Sequence, residues 1–127
     1  MSTEAKVPDT EQVLRSVMDR WKAGIDAHEP QQVANVFTAD AIFQGLRPYS
    51  IGRQGVFEYY DSQPHGMTVD YRVLETRRLG EDAVLSYLAA DFSFRDRDPV
   101  HLHLGVVAVQ NADGWRISHY QASAVPG

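Results

Sequence analysis

A change of period near its middle limits this chain more than any other feature. Beyond Gly66 no helical spacing survives, and four stretches rich in Val, Tyr, Leu and Phe follow, at 68–79, 83–95, 100–110 and 113–123. The runs GED, DRDP and NADG separate them, and acidic residues with Gly or Pro between apolar runs are turn formers. Long strands joined by such short turns pair antiparallel, because a parallel pair needs a crossover of about a dozen residues or more. The second half therefore reads as an antiparallel meander.

The first half has the other period. Asp9 with Gln12 resembles a capping box, and Val13, Leu14, Val17, Met18, Trp21 and Ile25 recur at helical spacing, so residues 9–28 read as one long amphipathic helix. Pro30 suits a first helical position, and Val33, Val36 and Phe37 make the stripe of a second, brief helix. "TADAIFQG" ends it and offers a short strand at Ala41–Gln44. After the loop GLRPYSIG, Gly52 and Arg53 open a third helix with Val56, Phe57 and Tyr60 on one face, stopped by Pro64. Residues 1–8 are polar and closed by Pro8, and read as a flexible arm. Helices first and strands afterwards indicate an α+β fold with the helices on one face of the sheet. A long twisted meander curls, and one helix laid across its hollow side makes a cone with a mouth.

Composition narrows the function. The chain has 127 residues, 43% of them hydrophobic, enough for one cored domain over 9–127 and too few for two. A net charge of -5 argues against a nucleic-acid partner. No apolar run approaches the roughly 20 residues that span a bilayer, and the polar start MSTEAKVPDTEQ lacks a secretory apolar segment, so no membrane partner and a cytoplasmic location are expected. The absence of cysteine removes disulfides, thiolate nucleophiles and cysteine zinc sites.

The order of elements, with "FTADAIFQG", "GRQGVFEYY", "GEDAVLSYL" and "DGWRISHYQAS", resembles the nuclear transport factor 2-like superfamily over nearly the whole chain, and within it the SnoaL-like and SgcJ/EcaC-type small bacterial proteins. "GEDAVLSYL" and "GWRISHYQAS" are also similar to the association domain of calcium/calmodulin-dependent kinase II. The resemblance implies a conical cystatin-like fold, a pocket, and a homodimer through the sheet. It does not imply one activity, since this fold hosts isomerases, dehydratases, cyclases, epoxide hydrolases and assembly modules. Matched to the ketosteroid isomerase branch, the catalytic aspartate falls on Gly45, the tyrosine donor on Trp21 and the protonated aspartate near Val106. Neither glycine nor valine can do that work. Against the kinase domain, Ala122 replaces a pocket arginine.

Strand parity taken from the resemblance turns Tyr87, Ala89, Asp91 and Ser93 to the concave face with Trp115, Ile117, His119 and Gln121, unless a bulge reverses it. His119 and Asp91 then form a candidate acid/base pair, the carboxylate fixing the tautomer of the ring. The alternative is a structural histidine bonded to its neighbours and an aspartate at a solvated rim. Trp21, Phe43, Phe57 and Tyr60 would line a flat apolar cavity with Tyr49 at its mouth, joined by Tyr87, Trp115 and Gln121. "HLHLG" presents His101 and His103 to one side, the spacing by which a strand offers two imidazoles to a metal, but the same parity gives the pocket to Leu102, Leu104 and Val106. No metal and no cofactor are expected. Two functions stand: a pocket protein for a small, mostly apolar ligand, with acid/base isomerase, cyclase or dehydratase chemistry at His119 and Asp91, or a non-catalytic ligand-sensing or oligomer-assembly module. Apolar residues left on the outer sheet face, Val107 and Val109 among them, favour a homodimer.

Overall fold

The computed structural model describes residues 9–125; the expected arm at 1–8 lies outside them. The order is α1 (Thr10–Asp26), α2 (Pro30–Ala34), β1 (Phe37–Gln44), β2 (Ser50–Ile51), α3 (Arg53–Asp61), β3 (Thr68–Gly80), β4 (Ala83–Ser93), β5 (Val100–Asn111) and β6 (Gly114–Ala124). The fold is α+β, with a curved six-stranded sheet in the order β2-β1-β6-β5-β4-β3. β3 to β6 form the expected meander, while β1 lies parallel to β6 and closes the far side. Among the described residues no helix is long and apolar enough to cross a membrane.

α1 lies across the inner face of the sheet, touching β3, β4 and β6. Its apolar stripe, from Leu14 through Trp21 to Ile25, is buried against Leu88, Leu104, Val106 and Ile117. Asp26 fixes the end of the helix by accepting from the Val69 amide at 3.0 Å, and Lys22 donates to the Val69 carbonyl at 2.7 Å. At the other end the capping box is not made. The Asp9 side chain makes no cap bond, and its backbone carbonyl accepts from Val13 instead. β1 begins at Phe37, earlier than its sequence suggests, because Phe37 and Thr38 are buried beside β6 and the ladder outweighs the local helical stripe.

One irregularity in β6 decides which side chains face the helices. Adjacent residues Val107 and Ala108 pair with His119 and Ile117, so Ser118 has no partner across the ladder. This is a β-bulge, and it breaks the alternation of side chains. Ile117 and Tyr120 are both buried on the inner face. Trp115 and Ile117 keep their expected side, whereas His119, Gln121 and Ser123 turn to the outer one. Tyr87, Ala89, Asp91 and Ser93 are also on the outer face, the first three opposite Gly105, His103 and His101, because the inward positions of β4 are Val84, Ser86, Leu88, Ala90 and Phe92; Ala89 is buried although it faces outward. On β5 the expected inward set, Leu102, Leu104 and Val106, is buried.

Deleting Ser118 should leave the inward row Ile117–Tyr120–Ala122 in place, since the remaining residues then alternate regularly. We expect a folded variant with a cost of about 1–2 kcal/mol from lost sheet curvature. A urea midpoint and amide protection pattern close to the parent's would agree; an unfolded chain would mean that β6 is regular.

Candidate functional site

The helices leave one end of the inner face open, between the 45–49 loop, the end of α3 and the adjoining ends of β4 and β5. A slot there is walled by Tyr59, Tyr60, Met67, Phe92, Leu102 and Tyr120, with Leu46, Gln63, Phe94 and Val100 at its rim. Its free volume is about 50 Å3. That is room for a few waters and about a third of an apolar cavity of about 150 Å3 that admits benzene.

Aromatic packing makes it so small. Trp21, with no exposed surface, meets Phe92 edge-on at 6.0 Å, and Phe43 stacks on Tyr120 at 4.9 Å and meets Tyr59 edge-on at 5.1 Å. Such offset and edge contacts gain over simple burial. Tyr59 also lies where a side chain at 45 would go: a Cβ built on Gly45 would stand 2.3 Å from Tyr59 Cζ. Its hydroxyl accepts from the Leu46 amide at 3.2 Å. Glycine at 45 is what lets the ring close this side of the cone.

The polar atoms of the slot lie close together at its floor. Trp21 Nε1 donates to Tyr60 Oη at 3.2 Å, and the Tyr60 and Tyr120 phenols lie near enough to act on each other's ionisation. Burial pushes both phenols well above their ordinary range, so both stay protonated across physiological pH. They can bond a carbonyl or hydroxyl of a guest. They are poor proton acceptors, and among the described residues no carboxylate or imidazole lines the slot.

The expected site residues are therefore dispersed. Tyr60 lines the slot; Trp21 and Phe43 pack behind it, and Phe57 is half-buried against the core. Tyr49 is 65% exposed on its loop. Trp115 is half-buried away from the slot, its ring 5.9 Å from the Arg78 guanidinium. Tyr87, Gln121, His119 and Asp91 are on the outer face, and His119 and Asp91 do not meet. His119 lies in the row Ile51–Ile42–His119–Val107–Leu85, which crosses five strands. Asp91 instead pairs with His101, Oδ1 to Nδ1 at 2.6 Å, and with Arg72 at 3.3 Å. The His101 hydrogen bond, supported by the charges of His101 and Arg72, holds the Asp91 carboxyl below its usual range. His103 faces Tyr87, Nδ1 to Oη at 3.4 Å. Among the described residues no three His, Asp or Glu side chains are placed to share a metal ion.

The sequence reading missed Tyr59, Tyr120, Gln63 and Met67. Tyr120 was hidden by the bulge, and Tyr59 by a helical face count that ignores what a neighbouring glycine admits.

The sequence matches no protein-family model and no curated protein. Solved structures share the fold at low identity. A ketosteroid isomerase-like protein from Erwinia carotovora atroseptica superposes with a TM-score of 0.77 at 17% identity, over 91% of this chain and 96% of that one. A cystatin-like domain of unknown function from Nostoc punctiforme gives 0.80 at 13%, over 93% and 78%. An NTF2-like protein with a cystatin-like fold from Novosphingobium aromaticivorans gives 0.76 at 12%, over 93% and 83%.

Proposed function

We propose that this chain, built on the NTF2-like fold, is a non-catalytic binding module that takes a small, mostly apolar molecule bearing one hydrogen-bonding group into the slot beneath Leu46. The observation that carries it is the lining: aromatic and aliphatic walls, two neutral phenols at the floor, and, among the described residues, no group that exchanges a proton near neutrality. A ring-sized guest must displace the rim, where Leu46 is 54% exposed. The test uses p-cresol, whose hydroxyl matches the Tyr60–Tyr120 pair. At ten times its dissociation constant it should add about 1.4 kcal/mol to stability by mass action. Amide shifts should centre on residues 46, 59 and 120, and Val100→Trp should abolish them by filling the mouth. Absence of any stabilisation of the parent chain by p-cresol would end this reading.

A second reading, self-assembly, has its own support. Ile42, Ile51, Leu85 and Tyr87 are 44%, 58%, 40% and 44% exposed on the outer sheet face, more contiguous apolar surface than a lone protomer usually leaves in water. Another copy of the same face is the expected cover, giving a two-fold homodimer. Light scattering at micromolar concentration should return twice the chain mass, and Leu85→Glu should return the monomer mass. A monomeric parent chain would refute it.

A further inference from the structure

At the end of the sheet away from the slot, a groove of about 290 Å3 runs between α1, α2 and the start of β6. Its walls are Ala23 and Val36, the amides of Gln32 and Asn35, and two guanidinium groups, Arg20 and Arg116. It has no lining residue in common with the slot.

The two arginines are held by backbone alone. Arg20 donates from Nε to the Ser16 carbonyl at 3.3 Å and from Nη2 to the Trp115 carbonyl at 2.6 Å. Arg116 donates from Nε to the Asn35 carbonyl at 3.0 Å and from Nη1 to the Asp113 carbonyl at 2.6 Å. Among the described residues neither forms an ion pair, whereas Arg15, Arg72, Arg77 and Arg97 each have a carboxylate partner. The pair is close enough that Arg116, after burial, makes Arg20 a weaker base. In a chain of net charge -5, two like charges share a groove whose described lining residues include no carboxylate.

Stitching α1 and α2 to β6 accounts for two N–H groups of each guanidinium. About three of the five on each remain, in a planar fork suited to carboxylate or phosphate oxygens. The carbonyl bonds hold both forks in place before any ligand arrives, which lowers the ordering cost of binding. A compact dianion between them would remove the mutual repulsion, while Ala23 and Val36 offer an apolar seat for its organic remainder.

We propose that this groove binds a small dianionic oxyanion, carried by a phosphate monoester or a dicarboxylate, between Arg20 and Arg116. This goes beyond the slot and stands whether or not the slot takes a guest.

The test is a titration of the full chain with phenyl phosphate and, separately, with succinate, followed through the backbone amide signals of Gln32, Asn35 and Arg116. Saturable shifts at these amides are expected from one or both anions at millimolar concentration, and the anion that produces them identifies the source. Phenol, the neutral counterpart, should leave them unmoved. Arg20→Gln and Arg116→Gln should each weaken binding by about tenfold or more. Because both also remove backbone clamps, Gln32→Glu provides a variant with the clamps intact: its own carboxylate should occupy the groove and weaken binding to a similar degree. Two results would overturn the proposal: no saturable shift with either anion, or affinity unchanged in folded Gln32→Glu.

Discussion

Trp21→Ala is expected to lower the unfolding free energy by about 3–5 kcal/mol, the usual cost of removing a fully buried large aromatic side chain. The residue has no exposed surface, meets Phe92 and Tyr120 at 6.0 Å each, and supplies the indole N–H bonded to Tyr60. Its loss adds a cavity beside the slot and removes a donor from a buried hydroxyl. For a domain whose whole stability is of order 5–15 kcal/mol, that approaches the unfolding limit. Trp21→Phe keeps most of the ring and loses the donor, and should cost about 1–2 kcal/mol. Urea midpoints at constant slope would give both values. Indole should stabilise Trp21→Ala and leave Trp21→Phe unaffected, because only the alanine variant has room for it. A cost below about 1 kcal/mol for the alanine variant would contradict the filled cone.

The helices and the meander were legible because they rest on period: α1 buries Val13, Val17 and Trp21 as their spacing requires, and β5 buries Leu102, Leu104 and Val106 by simple alternation. The site was not legible, because it depends on an exception to period. The bulge at Ser118 has no sequence mark beyond a small polar residue in a strand, yet it sends His119 outward and Tyr120 inward. Asp91 was misplaced for a different reason: β4 alternates regularly, and the parity taken from the resemblance put its wrong face in the cone, whereas its nearest ionic partner, His101, comes from the neighbouring strand at 2.6 Å. A histidine and an aspartate that look like an acid/base pair along the sequence are thus two separate features of an outer surface. His119 lies between Ile42 and Val107 in an apolar row, and Asp91 anchors a polar cluster with Arg72 and His101.

Gly45→Asp would put a carboxylate where the resemblance to the isomerase branch aligns its base, and the structure predicts that the substitution damages the fold. A Cβ at this position would meet Tyr59 at 2.3–2.6 Å, on a ring held by Phe43, Tyr60 and the Leu46 amide. Forcing that ring aside should cost about 1–3 kcal/mol through overpacking. Desolvating a carboxylate among aromatic groups adds a penalty of similar size, about 1–3 kcal/mol or more. The two terms separate experimentally. Gly45→Ala has the steric term alone and should cost about 1–3 kcal/mol, and that cost should largely vanish in a Tyr59→Ala background, giving a coupling of about 1–2 kcal/mol in a double-mutant cycle. Additive effects would mean that Tyr59 does not occupy this space. Strong coupling would mean that a carboxylate and the Tyr59 ring compete for one volume, so an acidic side chain could not be introduced at this position without first dismantling the wall that makes the slot.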